Sequence, residues 1–417
     1  MRSACRALSV ALFALAAHAA DLEPHERLGS GTAWQPDATP MFAFHFMKGE
    51  WMITAHGLVF AVYDHQGGPR GGDRFAAPNW FMAMARRSSG AGDTMLRAMI
   101  SLDPATVRAR GYPELFQTGE TYQGAPLVDA QHPHDFFMEL AVAHTFRLGE
   151  SAGIQVYAAP VGEPALGPVA FPHRGSAAET PVAVLGHHNQ DSTHIAFGVL
   201  TAAFVHTHFK IDGSWFNGRE PDEARWGFDP IRLNSYSARI TARAGESWVF
   251  QVSRGWLESP ETLSPETDVV RTTASVSHAW SGEAWRTASS LIWGRNREEE
   301  PGEPPDDEDA MTFETTWTYR EKNHLFGRAE HVDRTGLVDV SDPESGPKVQ
   351  VTALSLGAGR DLVSLWKMPL ALSAMVTVYD KDDVLDPIYG EHPASFYLYL
   401  RLRAPGMEAH PAAHGGH

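Results

Sequence analysis

The segment SFYLYLRLR at residues 395–403 carries the clearest indication of the fold. Apolar residues alternate there with polar or larger aromatic ones: Phe396, Leu398, Leu400 and Leu402 against Tyr397, Tyr399, Arg401 and Arg403. Because successive side chains of a β-strand point to opposite faces, such a strand has one apolar and one polar face. The same alternation occurs in Ser235–Arg243 and Ala310–Arg320. The chain is therefore predicted to be all-β.

The connections between the predicted strands fall into two classes. Tight turns such as Ser88–Gly92 and Leu148–Ala152 alternate with long connections such as Leu102–Pro133, Pro160–Ser192 and Asn296–Asp309. Bacterial outer-membrane barrels have short turns on one side and long loops on the other. We therefore predict an antiparallel transmembrane β-barrel of about sixteen strands, with the long loops on one side partly plugging the lumen.

A soluble sandwich or propeller with alternating strands is the alternative. The polar faces argue against it because they hold arginines among few other charges, as expected of a wet lumen: Arg239, Arg243, Arg286, Arg328, Arg401 and Arg403. Aromatic residues near strand ends would form interfacial girdles: Trp51, Trp80, Trp215, Trp256, Trp285, Trp293, Trp317 and Tyr379. One feature opposes the barrel, since its last strand does not end on an aromatic residue.

The N-terminus predicts export to the outer membrane. Arg2 and Arg6 precede an apolar run that ends in small residues near Ala19, the order of a secretory signal peptide. The predicted organisation is a signal peptide at 1–20, a periplasmic segment at 21–49, the barrel at 50–404 and a His-containing tail at 405–417. Membrane lipid is then one partner of the barrel.

Composition excludes several classes of partner and chemistry. The chain has 51 acidic and 34 basic residues, for a formal net charge of -17. This balance argues against nucleic acid and against docking on anionic lipid. The one cysteine, Cys5, lies in the predicted signal peptide. The mature protein is therefore expected to have no disulfide, no thiolate nucleophile and no cysteine-bound metal.

Histidine is frequent, with 21 residues, and concentrates in two segments that end long loops on the same side of the barrel. These segments are QHPHD at 131–135 and GHHNQDSTH at 186–194. Neutral imidazoles with a carboxylate suit a divalent transition metal such as zinc, copper, nickel or iron. The predicted ligands are His132, His134, His187, His188 and His194, with Asp135 and Asp191 as ligands or as carboxylates that orient an imidazole.

Other interpretations of these segments stay open. The histidines could simply hydrogen-bond within a lumen-filling plug. A hydrolase site would need Ser192 and His194, which share a face if they lie on a strand, whereas Asp191 would point away. Methionine is also concentrated towards the front of the chain, at Met41, Met47, Met52, Met82, Met84, Met95, Met99 and Met138. Thioether with imidazole suits copper(I), although methionine is also a common filler of apolar gaps.

Four segments resemble those of bacterial outer-membrane proteins that have no assigned activity. They are Gly67–Arg74, Gln131–Met138, Gly186–His194 and GREPDE at 218–223, and they occur in the same order over most of the mature chain. The resemblance implies an outer-membrane location and a barrel fold. The histidine and methionine content is, more loosely, similar to that of copper-resistance outer-membrane proteins.

The predicted function is a non-enzymatic, porin-like barrel that binds or passes a small solute, with a transition-metal ion at the histidine-rich plug as the leading candidate. Inward arginines are expected to favour anions in the lumen, so a metal ion would be stored or sensed at the plug rather than conducted. The alternatives are a rim or lumen hydrolase that uses a His–Asp pair, and a structural or adhesive barrel.

Overall fold

The computed structural model describes residues 22–339 and 346–406, so the predicted signal peptide and most of the histidine-containing tail lie outside the described residues. Sixteen antiparallel strands form a closed barrel. They are β1 (Trp51–Gln66), β2 (Gly72–Ala76 and Asn79–Ser89), β3 (Gly92–Ile100), β4 (Phe137–Arg147), β5 (Ala152–Val161), β6 (Val199–His206), β7 (Phe209–Phe216), β8 (Ser235–Ala244), β9 (Trp248–Leu257), β10 (Asp268–Ser281), β11 (Trp285–Glu299), β12 (Asp306–Tyr319), β13 (Asn323–Arg334), β14 (Val349–Leu365), β15 (Met368–Lys381) and β16 (Ala394–Arg403).

The barrel closes where β1 pairs with β16, from Leu58 opposite Arg403 to Gln66 opposite Ser395. A short strand, Phe44–Lys48, pairs with the beginning of β1 and continues the line of β16. Strand β2 is interrupted at Pro78, because proline has no backbone N–H to contribute to the ladder. The predicted all-β barrel, its antiparallel order and its strand number are confirmed.

The outward faces are apolar, as a surface in contact with lipid requires. In β16 the side chains of Phe396 and Leu398 are 38% and 43% exposed, whereas Tyr397 and Arg401 are 1% and 0% exposed. Large apolar residues are exposed on the other strands too, among them Ile240, Val252, Leu291, Phe313, Leu325 and Leu354. The prediction of an interfacial position is wrong for two of the girdle residues, because Trp80 packs on His173 and Tyr379 is buried.

Short turns and longer loops lie at opposite ends of the barrel, as predicted. The connection Asn296–Asp309 is an exception, because β11 and β12 extend to Glu299 and Asp306. Cross-strand ion pairs continue this ladder: Arg297 lies 2.8 Å from Asp307, and Arg295 lies 2.6 Å from Asp309. The long acidic loop predicted there is therefore mostly strand. No helix among residues 22–339 and 346–406 is long and apolar enough to cross a membrane.

Two long loops fill the lumen. Plug loop 1 spans residues 101–136 between β3 and β4, and plug loop 2 spans residues 162–198 between β5 and β6. Their short elements are Asp103–Thr106, Tyr112–Pro113, Glu120–Tyr122, Ala125–Leu127, Ala130–Gln131, Phe171–His173, Gly175–Ala177, His187–Gln190 and Ser192–His194. The remaining short helices are His25–Arg27, Asp383–Leu385 and Asp386–Tyr389. The plug predicted for these two loops is confirmed.

The N-terminal segment, residues 22–43, also contacts the inner wall of the barrel. Glu23 accepts a hydrogen bond from Lys210 Nζ at 2.8 Å, and Thr32 Oγ1 donates one to Asp212 Oδ2 at 2.8 Å. Arg97 Nη1 donates to the carbonyl oxygen of Gly31 at 2.9 Å. Within residues 22–339 and 346–406, the two plug loops and this segment thus occupy the lumen.

Several inward arginines pair with buried carboxylates. Arg239 lies 2.7 Å from Asp212. Glu179 of plug loop 2 pairs with Arg401 at 3.1 Å and with Arg403 at 2.7 Å. These carboxylates offset part of the positive charge that we expected to favour anions in the lumen.

Glu163, at the beginning of plug loop 2, is buried, and burial raises the pKa of its carboxyl to about 8 despite a hydrogen bond from Ser30. The folded protein therefore keeps this proton up to about pH 8, whereas the unfolded chain releases it near pH 4.5. The resulting stabilisation is complete below pH 4.5 and is lost as the pH rises through about 8.

We expect Glu163→Gln to remove this pH dependence and to stabilise the protein by a few kcal/mol at pH 9 relative to the native chain. The temperature at which the barrel loses its heat-modifiable migration on a gel, measured from pH 5 to pH 9, checks this. Glu283→Gln, at an exposed turn, is the control. An equal pH response of the native chain and the Glu163 variant would contradict the assignment.

Candidate metal centre

Five histidines from the two plug loops meet inside the barrel. We call this set the histidine cluster: His132, His134, His187, His188 and His194. The ring centroid of His187 lies 5.3 Å from that of His188 and 5.1 Å from that of His194. The rings of His134 and His194 are 5.4 Å apart, and those of His132 and His187 are 6.4 Å apart. All five predicted histidine ligands therefore come together.

The second histidine segment is helical and does not begin a strand. Residues His187–Gln190 form one α-helical turn and Ser192–His194 one 3-10 turn, while β6 begins only at Val199. The assumption that Ser192 and His194 lie on a strand is therefore wrong. Ser192 Oγ accepts a hydrogen bond from Arg271 at 2.8 Å, and His194 Nδ1 lies 2.9 Å from the Asp191 carbonyl oxygen. These contacts differ from the Ser–His pair that a hydrolase needs.

Four imidazoles of the cluster each contact a carboxylate through Nδ1. The distances are 3.0 Å for His132 to Glu120, 2.8 Å for His134 to Asp103, 2.6 Å for His187 to Asp191 and 3.0 Å for His188 to Glu220. A carboxylate at one ring nitrogen orients the ring and leaves the other nitrogen available for a metal ion. Among the described residues, His188 Nε2 and His194 Nε2 are buried without a hydrogen-bond partner.

Three of these groups are close enough to share one ion. A carboxylate oxygen of Glu120 and one ring nitrogen each of His132 and His188 all lie within 4.8 Å of one another. Two imidazoles and a carboxylate match the three-ligand sets of zinc sites that keep a further position open. Glu120 also pairs with Arg225 at 3.0 Å, which fixes its orientation.

The two predicted aspartates have different surroundings. Asp191 contacts His187, the position in which a carboxylate orients an imidazole. Asp135 instead lies 3.0 Å from Arg225, and Arg225 in turn pairs with Glu120. Asp135 is thus linked to the cluster indirectly, through these two side chains. Burial raises the pKa of Asp135 to about 7, although Arg225 opposes the shift.

Most imidazoles of the cluster are held neutral, which is the state that binds metal. Burial lowers the pKa of His132 to about 4 in spite of Glu120. Burial and the neighbouring His187 and His134 hold the pKa of His194 well below its usual value. Burial also lowers the pKa of His187. His188 differs, because the Glu220 carboxylate outweighs burial and raises its pKa.

A cavity of about 530 Å³ borders the cluster at the loop end of the barrel. Its lining includes Glu120 and His188 of the site itself. Further lining residues are Glu261, Glu298, Glu300, Glu303, Asp306, Glu308 and Arg334. Seven carboxylates and one arginine line this cavity, which we call the acidic vestibule, and such an excess of acidic side chains attracts cations.

Sequence reasoning missed three of the four carboxylates that contact the histidines. Glu120, Glu220 and Asp103 are distant in the chain from their partners. Glu220 lies in the GREPDE segment, which was recognised as a motif but not as part of the site. Glu120 follows Gly119, which has a φ of +107° and where a Cβ would lie 2.7 Å from the His188 ring. That glycine is the one sequence signal for a close approach here.

The fold of this barrel has been seen in solved structures. An anion-selective porin from Comamonas acidovorans matches it with a TM-score of 0.56 at 10% sequence identity, over 85% of this chain and 100% of that chain. This is a porin fold. OmpF of Salmonella typhi, solved in complex with daunomycin, shares the porin fold with a TM-score of 0.52 at 7% identity, over 86% and 100% of the two chains. No protein-family model and no curated protein matches the sequence. The porin fold supports the predicted outer-membrane location.

Proposed function

We propose that this protein is an outer-membrane barrel of the porin fold that binds a divalent transition-metal ion at the histidine cluster of its plug. The observation that carries the proposal is the convergence of Glu120, His132 and His188, whose ligand atoms lie within 4.8 Å of one another. Nitrogen and carboxylate ligands without sulfur favour zinc among the common metals, and would also accept copper(II) or nickel.

The electrostatics of the barrel support a cation as the cargo. Several of the inward arginines are paired with carboxylates, as Arg239 is with Asp212 at 2.7 Å. The cavity beside His188 is lined by acidic residues, including Glu298 and Glu308. A cation approaching from the loop end therefore meets negative potential before it reaches the imidazoles of the cluster.

The plug supports binding in preference to free passage. The two plug loops and the N-terminal segment occupy the lumen, and plug loop 2 is held by buried ion pairs to the wall, such as Glu179 with Arg401 at 3.1 Å. In this role the barrel takes up or senses the ion at its outer face, and passage of the ion requires movement of the plug.

The test is the metal content of purified, tag-free protein loaded with Zn²⁺ and then dialysed. We expect roughly one bound ion per native chain. The double variant His132→Gln/His188→Gln should bind Zn²⁺ at least about tenfold more weakly, because it loses two ligands but keeps the side-chain polarity. Zn²⁺ binding should also weaken as imidazoles protonate at low pH.

The matched control is His206→Gln/His208→Gln, a pair whose rings are 5.7 Å apart at the turn between β6 and β7. It removes two neighbouring histidines without touching the plug, and histidines of the C-terminal tail are present in every protein compared. Equal Zn²⁺ content in the native chain and the cluster variant would end the proposal. An equal loss in both double variants would end it as well.

A further inference from the structure

A row of soft ligands crosses three neighbouring strands, away from the histidine cluster. His56 of β1 is directly paired with Met82 of β2, and Met82 is directly paired with Met99 of β3. Directly paired residues on adjacent strands have their Cβ atoms about 5 Å apart, so the three side chains stand side by side on the inner wall. Both methionines are buried, at 5% and 3% exposure.

His173 of plug loop 2 covers this row from inside the lumen. Its Nε2 lies 3.1 Å from Met99 Sδ, while His56 Nε2 lies 3.0 Å from Met82 Sδ. The two imidazole rings are 6.2 Å apart, and the Trp80 ring lies 4.4 Å from that of His173 and 5.2 Å from that of His56. One imidazole from the barrel wall and one from plug loop 2 thus each direct a ring nitrogen at a thioether sulfur.

We propose that His56, Met82, Met99 and His173 form a second metal site, which takes copper(I). Metal bonds to imidazole nitrogen and to sulfur are about 2.0 Å and 2.3 Å long, so an ion bridging each N···S pair needs only small side-chain movements. Thioether and imidazole ligands select copper(I) over the harder divalent ions. Methionines that merely fill an apolar gap would have no reason to be aligned with two imidazole nitrogens.

The surrounding charges favour a monovalent ion. All four ligands are neutral, so they cannot compensate a dication that has left water. The neighbouring guanidinium of Arg97 is paired with Glu139 at 3.2 Å and directs Nη2 at Met95 Sδ, 3.4 Å away. A singly charged ion therefore meets a nearly neutral environment here. The histidine cluster is better suited to a divalent ion, because Glu120 and the carboxylates of the acidic vestibule are negatively charged.

A cavity with about 100 Å³ of room for water-sized species gives an ion access to this row. His56, Met82 and His173 line it, together with Met84 and with His25 and Met41 of the N-terminal segment. The proposal does not rest on the histidine cluster, because the two sites share no ligand.

The experiment is an anaerobic competition titration of the full-length mature protein with copper(I) and a chromogenic copper(I) chelator. The double variant Met82→Leu/Met99→Leu removes both sulfurs but preserves side-chain volume, so the barrel should fold, which heat-modifiability verifies. We expect its copper(I) affinity to fall about tenfold or more. Met138→Leu is the control, since Met138 is buried in the same apolar cluster as Met82 and Met99.

X-ray absorption at the copper edge separates a ligand role from a packing role. Copper–sulfur scattering should be present in the native protein and in Met138→Leu, and absent from the double variant. Copper(I) binding should also persist in His132→Gln/His188→Gln, so that failure at one site is distinguishable from failure at the other. No copper(I) binding by the native chain, or the same affinity in native and double-variant protein, would overturn the proposal.

Discussion

Replacing residues 163–195 with a short Gly/Ser linker should convert the barrel into an ion-conducting pore. Barrels of about sixteen strands leave an aqueous channel when nothing fills them, and plug loop 2 is the longest of the segments that fill this one. The replacement is sterically simple because the ends of the loop are already joined. Gly162 N donates to the Ala196 carbonyl at 3.0 Å, and Ala196 N donates to the Gly162 carbonyl at 2.8 Å.

Single-channel recording in planar lipid bilayers measures the effect. We expect the conductance of the shortened protein to exceed that of the native chain by about tenfold or more. Glu314 and Arg401 on the wall lose their partners when plug loop 2 is removed. Because water then fills the lumen, both charges are hydrated and the wall should tolerate the loss. Replacing residues 259–266 of the β9–β10 loop with the same linker is the control. Native conductance as large as that of the shortened barrel would show that the plug does not close the lumen.

Arg174→Met should destabilise the folded protein by about 3–5 kcal/mol, because the buried Asp191 loses its guanidinium partner and the buried Glu314 keeps only Arg328, at 3.3 Å. Arg174 joins plug loop 2 to the wall through Glu314 of β12, whose Oε1 lies 2.7 Å from Nε. Within the loop, Arg174 Nη1 lies 2.5 Å from Asp191 Oδ2. The three side chains are at most 3% exposed. The pKa of Asp191 is held below its usual range by Arg174 and His187, which outweigh burial. Losing Arg174 therefore also disturbs the carboxylate that orients His187.

The midpoint of urea unfolding in detergent micelles measures this loss. Arg297→Met removes an exposed pair with Asp307 and should leave the unfolding midpoint nearly unchanged. The double variant Arg174→Met/Asp191→Asn should recover much of the stability, because Glu314 then keeps its ion pair with Arg328 and Asp191 no longer carries an unpaired charge. If Arg174→Met costs no more than Arg297→Met, the ion pairs of the plug are not what holds it in place.

The barrel was predictable because its signal repeats along every strand. Alternation shows which side chains face lipid, as with Leu398 and Leu400, and turn-forming residues show where strands end. The inner face could be identified but not its contacts, since alternation does not reveal what lies opposite. Arg401 was predicted to line a wet lumen, and it is neutralised by Glu179, which lies more than two hundred residues away in the sequence.

The histidine cluster was predictable only in part, for a related reason. His132 and His188 were identified because imidazoles concentrated in two loops stand out in the sequence. Glu120 was missed because a single glutamate in a loop carries no pattern, and its approach to His132 depends on how plug loop 1 folds back inside the barrel. The Asp135–Arg225 pair was missed for the same reason, since it joins two different loops.

The anchoring of plug loop 2 has a consequence for how the barrel could open. Glu179 serves both Arg401 and Arg403, and Arg174 serves both Asp191 and Glu314. Withdrawing the loop by a few ångströms would strand several charges at once and regain hydration for none of them. We therefore expect partly withdrawn positions of the plug to have the highest free energy. The plug should then be either fully seated or fully withdrawn.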